Sequence, residues 1–284
     1  MPIHLVVQSP ALSASEVEML AALSQAEGVY RMSACVARLM DVPADDQTRK
    51  DVAKYAAANG IDVAWVPAQR TLSSCKILAM DMDSTLINIE CIDELADLAG
   101  KKSDVAAITE AAMRGEITDF ADSLRRRVAL LAGLSADALE RVYTERLRLN
   151  PGAETLISTA QAQGVATLLV SGGFTFFTQR LQARLGLTAA YANELVIENG
   201  KLTGEVSGRI LDADAKRRYV LDFAAEHGAD KSSTIAIGDG ANDLKMLGEA
   251  AWSVAYRAKP IVREQTNYAL NVSGLDGVLN WFEG

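Results

Sequence analysis

Lys76-Ile77-Leu78-Ala79-Met80-Asp81-Met82-Asp83-Ser84-Thr85 is the stretch on which the fold turns. Four apolar residues are too short for a helix and suit a strand buried on both faces, as in a parallel sheet. Two carboxylates then follow at i and i+2. In extended chain alternate side chains share a face, so Asp81 and Asp83 emerge on the same side of the strand end. Carboxylates held that close repel unless a cation lies nearby or one takes a proton. The pair therefore points either to a site for a hard divalent metal or to a nucleophile beside a general acid. A solvated loop tip is the ordinary alternative, and the surrounding chain has to decide.

Working outward, Ala166–Val170 and Thr234–Ile237 repeat the pattern of a short apolar run leading into a polar turn and a helix. Strands alternating with helices imply a parallel sheet covered on both faces, with ligands bound at the strands' C-terminal ends. Ser171-Gly172-Gly173 follows the second run and opens the helix Phe174–Leu185. A hydroxyl, free backbone N–H groups and two glycines make a cradle for an anion. Gly238-Asp239-Gly240-Ala241-Asn242-Asp243 follows the third run, ahead of a helix starting near Ala241. It lacks the third glycine of a dinucleotide-binding turn. Its two aspartates serve either as helix caps or as ligands of an octahedral, oxygen-bound cation, Mg2+ before Ca2+. Lys216 falls in the first turn of a helix beginning near Ala213, where a cation opposes the helix dipole and needs an anion. That anion is either Asp212, four residues back, or a phosphoryl group together with Asp81. Arg217 and Arg218 read as solvated.

The chain has 284 residues, 49% of them hydrophobic, enough for more than one core. A net charge of −9 without a basic stripe excludes a nucleic-acid surface. Cys35, Cys75 and Cys91 are too few and too far apart for a disulfide framework, and read as small buried residues in a reducing, cytoplasmic protein. No run approaches a membrane span. The two histidines, His4 and His227, have no partners at metal or triad spacing, so carboxylates must carry any chemistry.

Residues 1–72 read as a separate unit, with strands at Ile3–Gln8 and Ile61–Val66 and one long strand or a hairpin over Gly28–Val42. Helices at Ser13–Ser24 and Asp45–Asn59 complete a ferredoxin-like α+β order. A linker over Pro67–Ser74 leads to a second unit, 73–284, and Glu198–Ile210 reads as a hairpin around Asn199-Gly200. Between the first two core strands, residues 88–150 contain helices and no strand: 91–99, 104–113, 118–132 capped by Thr118, and 136–148. These form a small bundle over the site, which excludes water. On helix 118–132, at 100° per residue, Phe120, Leu124, Arg127 and Leu131 share one stripe about 60° wide. Arg125 and Arg126 point about 120–140° away. An inward guanidinium needs an anion, and a carboxylate satisfies it bidentately.

Asp81-x-Asp83-x-Thr85, Ser171-Gly172-Gly173, Lys216 and Gly238–Asp243, in that order, resemble the four motifs of the haloacid dehalogenase-like phosphatases. With Glu90, Ser123–Val128 and Val170–Phe174 the chain from about Lys76 onward resembles the phosphoserine phosphatase branch. The resemblance implies a Rossmann-like core with a helical cap and Mg2+-dependent hydrolysis of phosphoserine, the last step of serine biosynthesis. It implies Asp81 as nucleophile and Asp83 as general acid, then base. Metal ligation falls to Asp81, the backbone carbonyl of Asp83 and Asp239, with Asp243 acting through water or behind the ligands. Ser171, Gly172, Lys216 and Asn242 meet the phosphoryl group, Arg127 the substrate carboxylate, and Glu90 the ammonium, unless Glu90 is only an acid at a helix start. Met113 and Phe120 pack either on the substrate's short carbon chain or in the core. Residues 1–72 resemble an ACT-type domain, although Ser9-Pro10-Ala11-Leu12 replaces the usual Asp-x-x-Gly turn. Amino-acid binding, homodimerisation and a purely structural role all stand for it. Rival readings are a phosphatase acting on a longer ester such as phosphohomoserine, and an amino-acid sensor.

Overall fold

The computed structural model describes residues 2–283. The first unit runs β1 (Ile3–Gln8), α1 (Ala14–Ser24), β2 (Gly28–Arg31), β3 (Val36–Met40), α2 (Asp46–Ala58) and β4 (Asp62–Pro67). The sheet order is β2-β3-β1-β4, antiparallel throughout, as a ferredoxin-like arrangement requires. Gly28–Val42 is thus a hairpin. Ser13 caps α1 in a reciprocal pair with Glu16, and Asp45 caps α2. Period-2 alternation sorts the strands: Leu5 and Val7 face the helices, with Leu20, Leu39 and Val52. Val6, Ala64 and Val66 face the other way, into the main core.

That second face is sealed by the C-terminal segment. Asp62, 3% exposed, accepts the backbone N–H groups of Asn271, Val272 and Ser273. Arg38, 5% exposed, donates to the carbonyls of Asn280 and Phe282 and pairs with Glu283 at 2.9 Å. Asn280 donates to Gln8 at 2.7 Å. Buried charges are tolerable only when paired and hydrogen-bonded in this way.

The second unit begins with β5 (Ile77–Met80), followed by α3 (Cys91–Leu98), α4 (Lys102–Met113), α5 (Phe120–Ala129) and α6 (Asp137–Arg141). Next come α7 (Ala153–Ala162), β6 (Ala166–Phe174), α8 (Thr175–Leu185), β7 (Ala189–Glu198) and β8 (Lys201–Ser207). The chain finishes with α9 (Ala213–Glu226), β9 (Thr234–Gly238), α10 (Leu244–Leu247), β10 (Trp252–Tyr256), α11 (Pro260–Arg263) and β11 (Tyr268–Leu270). The seven-stranded sheet has the order β11-β10-β9-β5-β6-β7-β8 and is parallel except for β8. Its apolar central strands bury both faces. The hairpin turn lies at Asn199-Gly200 as expected, but its first strand starts at Ala189 because β7 also pairs with β6.

The insertion is helical, with shifted ends. Asp119 rather than Thr118 caps α5, by accepting from Ala121 N. The expected helix 136–148 stops at Arg141 and unwinds into a wider turn, Val142–Arg146, closed by Leu147 N to Val142 O. The two chains entering and leaving the insertion are joined side by side: Ile87 bridges Leu149, and Asn150 Nδ2 donates to Thr85 O and Ile87 O. A second attachment ties the insertion to β8, through Gly133 N to Leu202 O, Leu202 N to Leu134 O and Ala136 N to Gly200 O. Gly204 permits this contact, since a Cβ there would lie 2.9 Å from that of Ala132.

Asp62→Ala leaves three backbone N–H groups without their acceptor at a sealed interface. Urea unfolding should show a loss of about 2–4 kcal/mol, the cost of stranding buried donors. A loss under about 1 kcal/mol would mean that water replaces the carboxylate.

Candidate active site

Four neighbouring parallel strands, β10, β9, β5 and β6, end along one edge, and the polar motifs lie there. Asp81 follows β5 directly, with its N–H bound to Ile237 O at 3.0 Å. The chain leaves the strand at Met80 and turns through Met82–Leu86, where Ser84 takes a left-handed φ of 58°. Asp83 therefore reaches the cleft from a turn rather than from the strand extension read in the sequence. Ser84 Oγ donates to Glu90 at 2.7 Å, which joins the turn to the start of α3.

Beneath the cleft, Lys216 Nζ lies 2.5 Å from Asp81 Oδ1 and 2.6 Å from Asp243 Oδ1. Lys216 is 1% exposed. Burial alone would lower its proton affinity, but the fields of Asp243 and Asp81 outweigh this and raise it. Asp212 is not its partner: that side chain caps α9 through Ala215 N. Asp243 is engaged on both oxygens. Oδ2 accepts from Asp239 N and Gly240 N, so one carboxylate shapes the turn and holds the lysine. Gly238 is required by space, because a Cβ there would lie 2.7 Å from the Asp243 side chain.

Oxygens of Asp81, Asp239 and Asp243 lie within 4.8 Å of one another. Burial, then Asp243, pushes Asp81 well above the usual carboxylate range, with Lys216 opposing. Burial, then Asp243 and Glu90, pushes Asp239 up to about 7, although Thr85 Oγ1 donates to it at 3.1 Å. An oxygen-only set of mutually repelling carboxylates fits a hard divalent cation, which would relieve the repulsion. Asp83 is likewise raised to about 7, by burial and then by Glu90, while Cys91 N donates to it.

The Ser171-Gly172-Gly173 motif packs tightly against these groups. A Cβ on Gly173 would lie 2.7 Å from Asp83 Oδ2, and one on Gly172 would lie 3.0 Å from Phe120. Ser171 is 1% exposed, and its Oγ accepts from Gly173 N at 2.9 Å, so that N–H is already engaged. Asn193 of β7 donates to Gly172 O and accepts from Leu211 N, tying the cradle to the segment that leads into α9.

Above lies a cleft of about 710 Å3 between core and cap. Asp81, Asp83, Asp239, Asn242, Ser171 and Gly172 line its floor. Glu90, Met113, Phe120 and Arg127 line the cap side. Arg127 is half-buried while Arg125 and Arg126 are exposed, as the helical stripe requires. Burial lowers the proton affinity of Arg127, and Asp93, Glu90 and Asp83 oppose that. Its Nε donates to Ser123 O at 3.4 Å. Glu90 opens to solvent through the cleft yet is walled by protein, and this desolvation raises its carboxyl. Phe120 is half-buried against the core cluster, whereas Met113 is 67% exposed at the mouth and belongs to no core.

Sequence reading missed Asp93, Ser123 and Lys259 in the cleft lining, and the bridging Asn193. Asp93 had a faint signal, three residues after Glu90 on the first turn of α3. The two histidines lie elsewhere: His4 accepts from Asp41 N, and His227 bonds Phe223 O. Cys75 and Cys91 are buried as expected, but Cys35 is exposed.

Comparison with known proteins gives a consistent result. The haloacid dehalogenase-like hydrolase family matches residues 78–248, and a domain of unknown function matches residues 5–52. A phosphoserine phosphatase of Polaromonas sp. is 54% identical over 212 residues, covering 73% of this chain and 90% of that protein. A haloacid dehalogenase family hydrolase from Salmonella enterica serovar Typhi superposes with a TM-score of 0.89 at 30% identity, over 99% of this chain and 98% of its own. The unliganded probable phosphoserine phosphatase of Vibrio cholerae gives 0.84 at 34% identity, over 98% and 86%.

Without a cation, the folded state holds protons on Asp83 and Asp239 up to about pH 7 that the unfolded chain releases near pH 4. Thermal unfolding in chelator should therefore show stability falling as pH rises from about 4 to about 7. Asp239→Asn should remove part of that fall, and an added divalent cation should raise the midpoint most at the alkaline end. A profile unchanged in Asp239→Asn would mean that this carboxyl does not carry the strain.

Proposed function

The chain belongs to the haloacid dehalogenase-like hydrolases and, among them, to the phosphoserine phosphatases; from that membership we propose that it hydrolyses O-phospho-L-serine through an aspartyl phosphate on Asp81. The observation that carries this is the joint placement of Asp81 against Lys216 at 2.5 Å and of Arg127 in the same cleft. The first supplies a nucleophile held by a permanent cation, the second a receptor for a carboxylate.

Asp81 attacks phosphorus, and the serine alkoxide leaves with a proton from Asp83. A carboxyl raised to about 7 retains that proton near neutral pH, as a general acid must. Asp83 then takes a proton from water, which attacks the aspartyl phosphate and releases phosphate and Asp81. Ser171 and Gly172, on the cleft floor, receive the phosphoryl oxygens, and Lys216 supports their charge from beneath through Asp81. Asp81, Asp239 and the backbone of Asp83 would hold the cation, for which Mg2+ suits an oxygen-only donor set, and it would supply positive charge to offset the carboxylates and the phosphoryl group. Asp243, saturated by hydrogen bonds, keeps Lys216 and the Asp239 turn in place. On the cap side Arg127 takes the substrate carboxylate, Glu90 the ammonium, and Phe120 the short carbon chain.

The domain division at 72/73 with a cap over 88–150 is part of this reading. The N-terminal unit serves as a structural element, since the free face of its sheet is occupied by the C-terminal segment. Its edge strand β2, with Val29 53% and Tyr30 63% exposed, is where a second copy would pair. Among the described residues no helix is long and apolar enough to cross a membrane. Three free cysteines suit a reducing cytoplasm.

Phosphate release from phosphoserine in Mg2+ and in chelator tests the reaction. Asp81→Asn should abolish turnover and phosphoenzyme trapping; retained turnover would remove Asp81 as nucleophile. Asp83→Asn should cost about 10²–10⁴ in kcat, with a smaller loss on an aryl phosphate whose leaving group needs no proton. Arg127→Ala should lower kcat/KM for phosphoserine by roughly tenfold to a hundredfold, the worth of charged hydrogen bonds, while sparing p-nitrophenyl phosphate. Equal losses on both esters would make Arg127 a packing residue.

A further inference from the structure

Asp81, Ser171 and Asp239 come from the ends of β5, β6 and β9, and the next strand in the sheet, β10, also delivers a side chain to the cleft. It is Lys259. We propose that Lys259 is the substrate-capturing cation at the mouth of the active-site cleft, drawing in the phosphate dianion of phosphoserine. This rests on the phosphoserine reading above and adds a residue to it.

The turn that carries Lys259 is anchored on both sides. Arg257 takes a left-handed φ of 47° and donates its N–H to Leu270 O at 2.7 Å. Ala258 and Val262 are buried together on either side, and Pro260 starts α11. From this anchored turn the lysine side chain reaches towards the cap. Its Nζ lies 3.8 Å from Met113 Sδ, across the gap between core and cap. The residue is exposed, and among the described residues its ammonium pairs with no carboxylate.

Charge explains why a cation is needed there. The chain carries a net charge of −9, and Asp81, Asp83, Glu90, Asp93 and Asp239 all line the cleft. A substrate bearing a phosphate dianion and a carboxylate approaches against that field. Lys216 lies beneath the floor and is neutralised by two carboxylates. Arg127 is half-buried on the cap side. Lys259 alone among the lining cations stands free at the rim, where an unpaired charge biases encounter more than it changes the chemical step.

The experiment uses the full chain with Mg2+ and phosphoserine, comparing wild type, Lys259→Gln and Lys259→Arg at ionic strengths from about 20 to about 500 mM, across which screening becomes nearly complete. At low salt, Lys259→Gln should show kcat/KM lowered about three- to tenfold with kcat unchanged. The gap should close as salt rises, and Lys259→Arg should behave as wild type. Equal kcat/KM at low salt, a gap that salt does not narrow, or a loss residing in kcat would each overturn the proposal. A wild type inactive on phosphoserine would overturn the underlying reading, and the proposal with it; an active wild type with indifferent variants overturns the proposal alone.

Discussion

Lys216 brings an ammonium group into a nearly dry space and shares it between Asp81 and Asp243. These three residues come from α9, the end of β5 and the turn after β9, far apart in the chain. Leaving any one of them unpaired would strand a buried charge at a cost of several kcal/mol, so the three elements are held in one arrangement. The rest of the site is built on that triangle. Asp243 also fixes the backbone of Asp239 and Gly240, Thr85 reaches Asp239, and Asp83 sits against a glycine that leaves room for nothing larger.

The excess of carboxylates is the counterpart of this order. Asp81, Asp83 and Asp239 are all raised above the ordinary range by burial and by neighbouring carboxylates, as groups gathered at a functional site are. The protein stores repulsion where a cation and a phosphoryl group are to be received. Apolar packing around β5, β6 and β9 offsets it, with Ile77, Leu78, Leu168, Ile235 and Ile237 fully buried.

Much of this could be read from the chain because the decisive signals are local. The run Ile77–Met80 before Asp81, the turn Gly238–Asp243, and the stripe that singles out Arg127 among three arginines each depend on a few consecutive residues. What escaped reading depends on distance. Lys216 had two candidate partners, and only the packing of α9 against the sheet end excludes Asp212. Asp243 was placed by its spacing at the edge of the carboxylate cluster, but its bonds to Lys216 and to the Asp239 turn could not be read from the chain. Lys259 carried no sequence signal, since its importance lies in β10 being the next strand in the sheet order. The docking of the N-terminal sheet joins residues more than 200 positions apart, such as Asp62 and Ser273. In β4 the docked face is the fully buried one, Asp62, Ala64 and Val66, while Val63 and Trp65 on the other face are half-buried. Helix ends shifted where side chains chose: Asp119 outcompeted Thr118 as a cap.

The backbone bonds joining Gly133, Leu134 and Ala136 to the β7–β8 hairpin have a consequence for how this architecture is exchanged between proteins. The insertion is contiguous in sequence, and its two ends meet at Ile87 and Leu149, so it looks like a cassette that recombination could swap in one cut-and-paste event. It is not self-contained. A foreign cap would arrive without the hairpin that completes its lower edge, and Gly204 would face a helix it was not shaped for. Changes of specificity in this scaffold must therefore be inherited as two separated segments, or proceed by point substitution inside the existing roof.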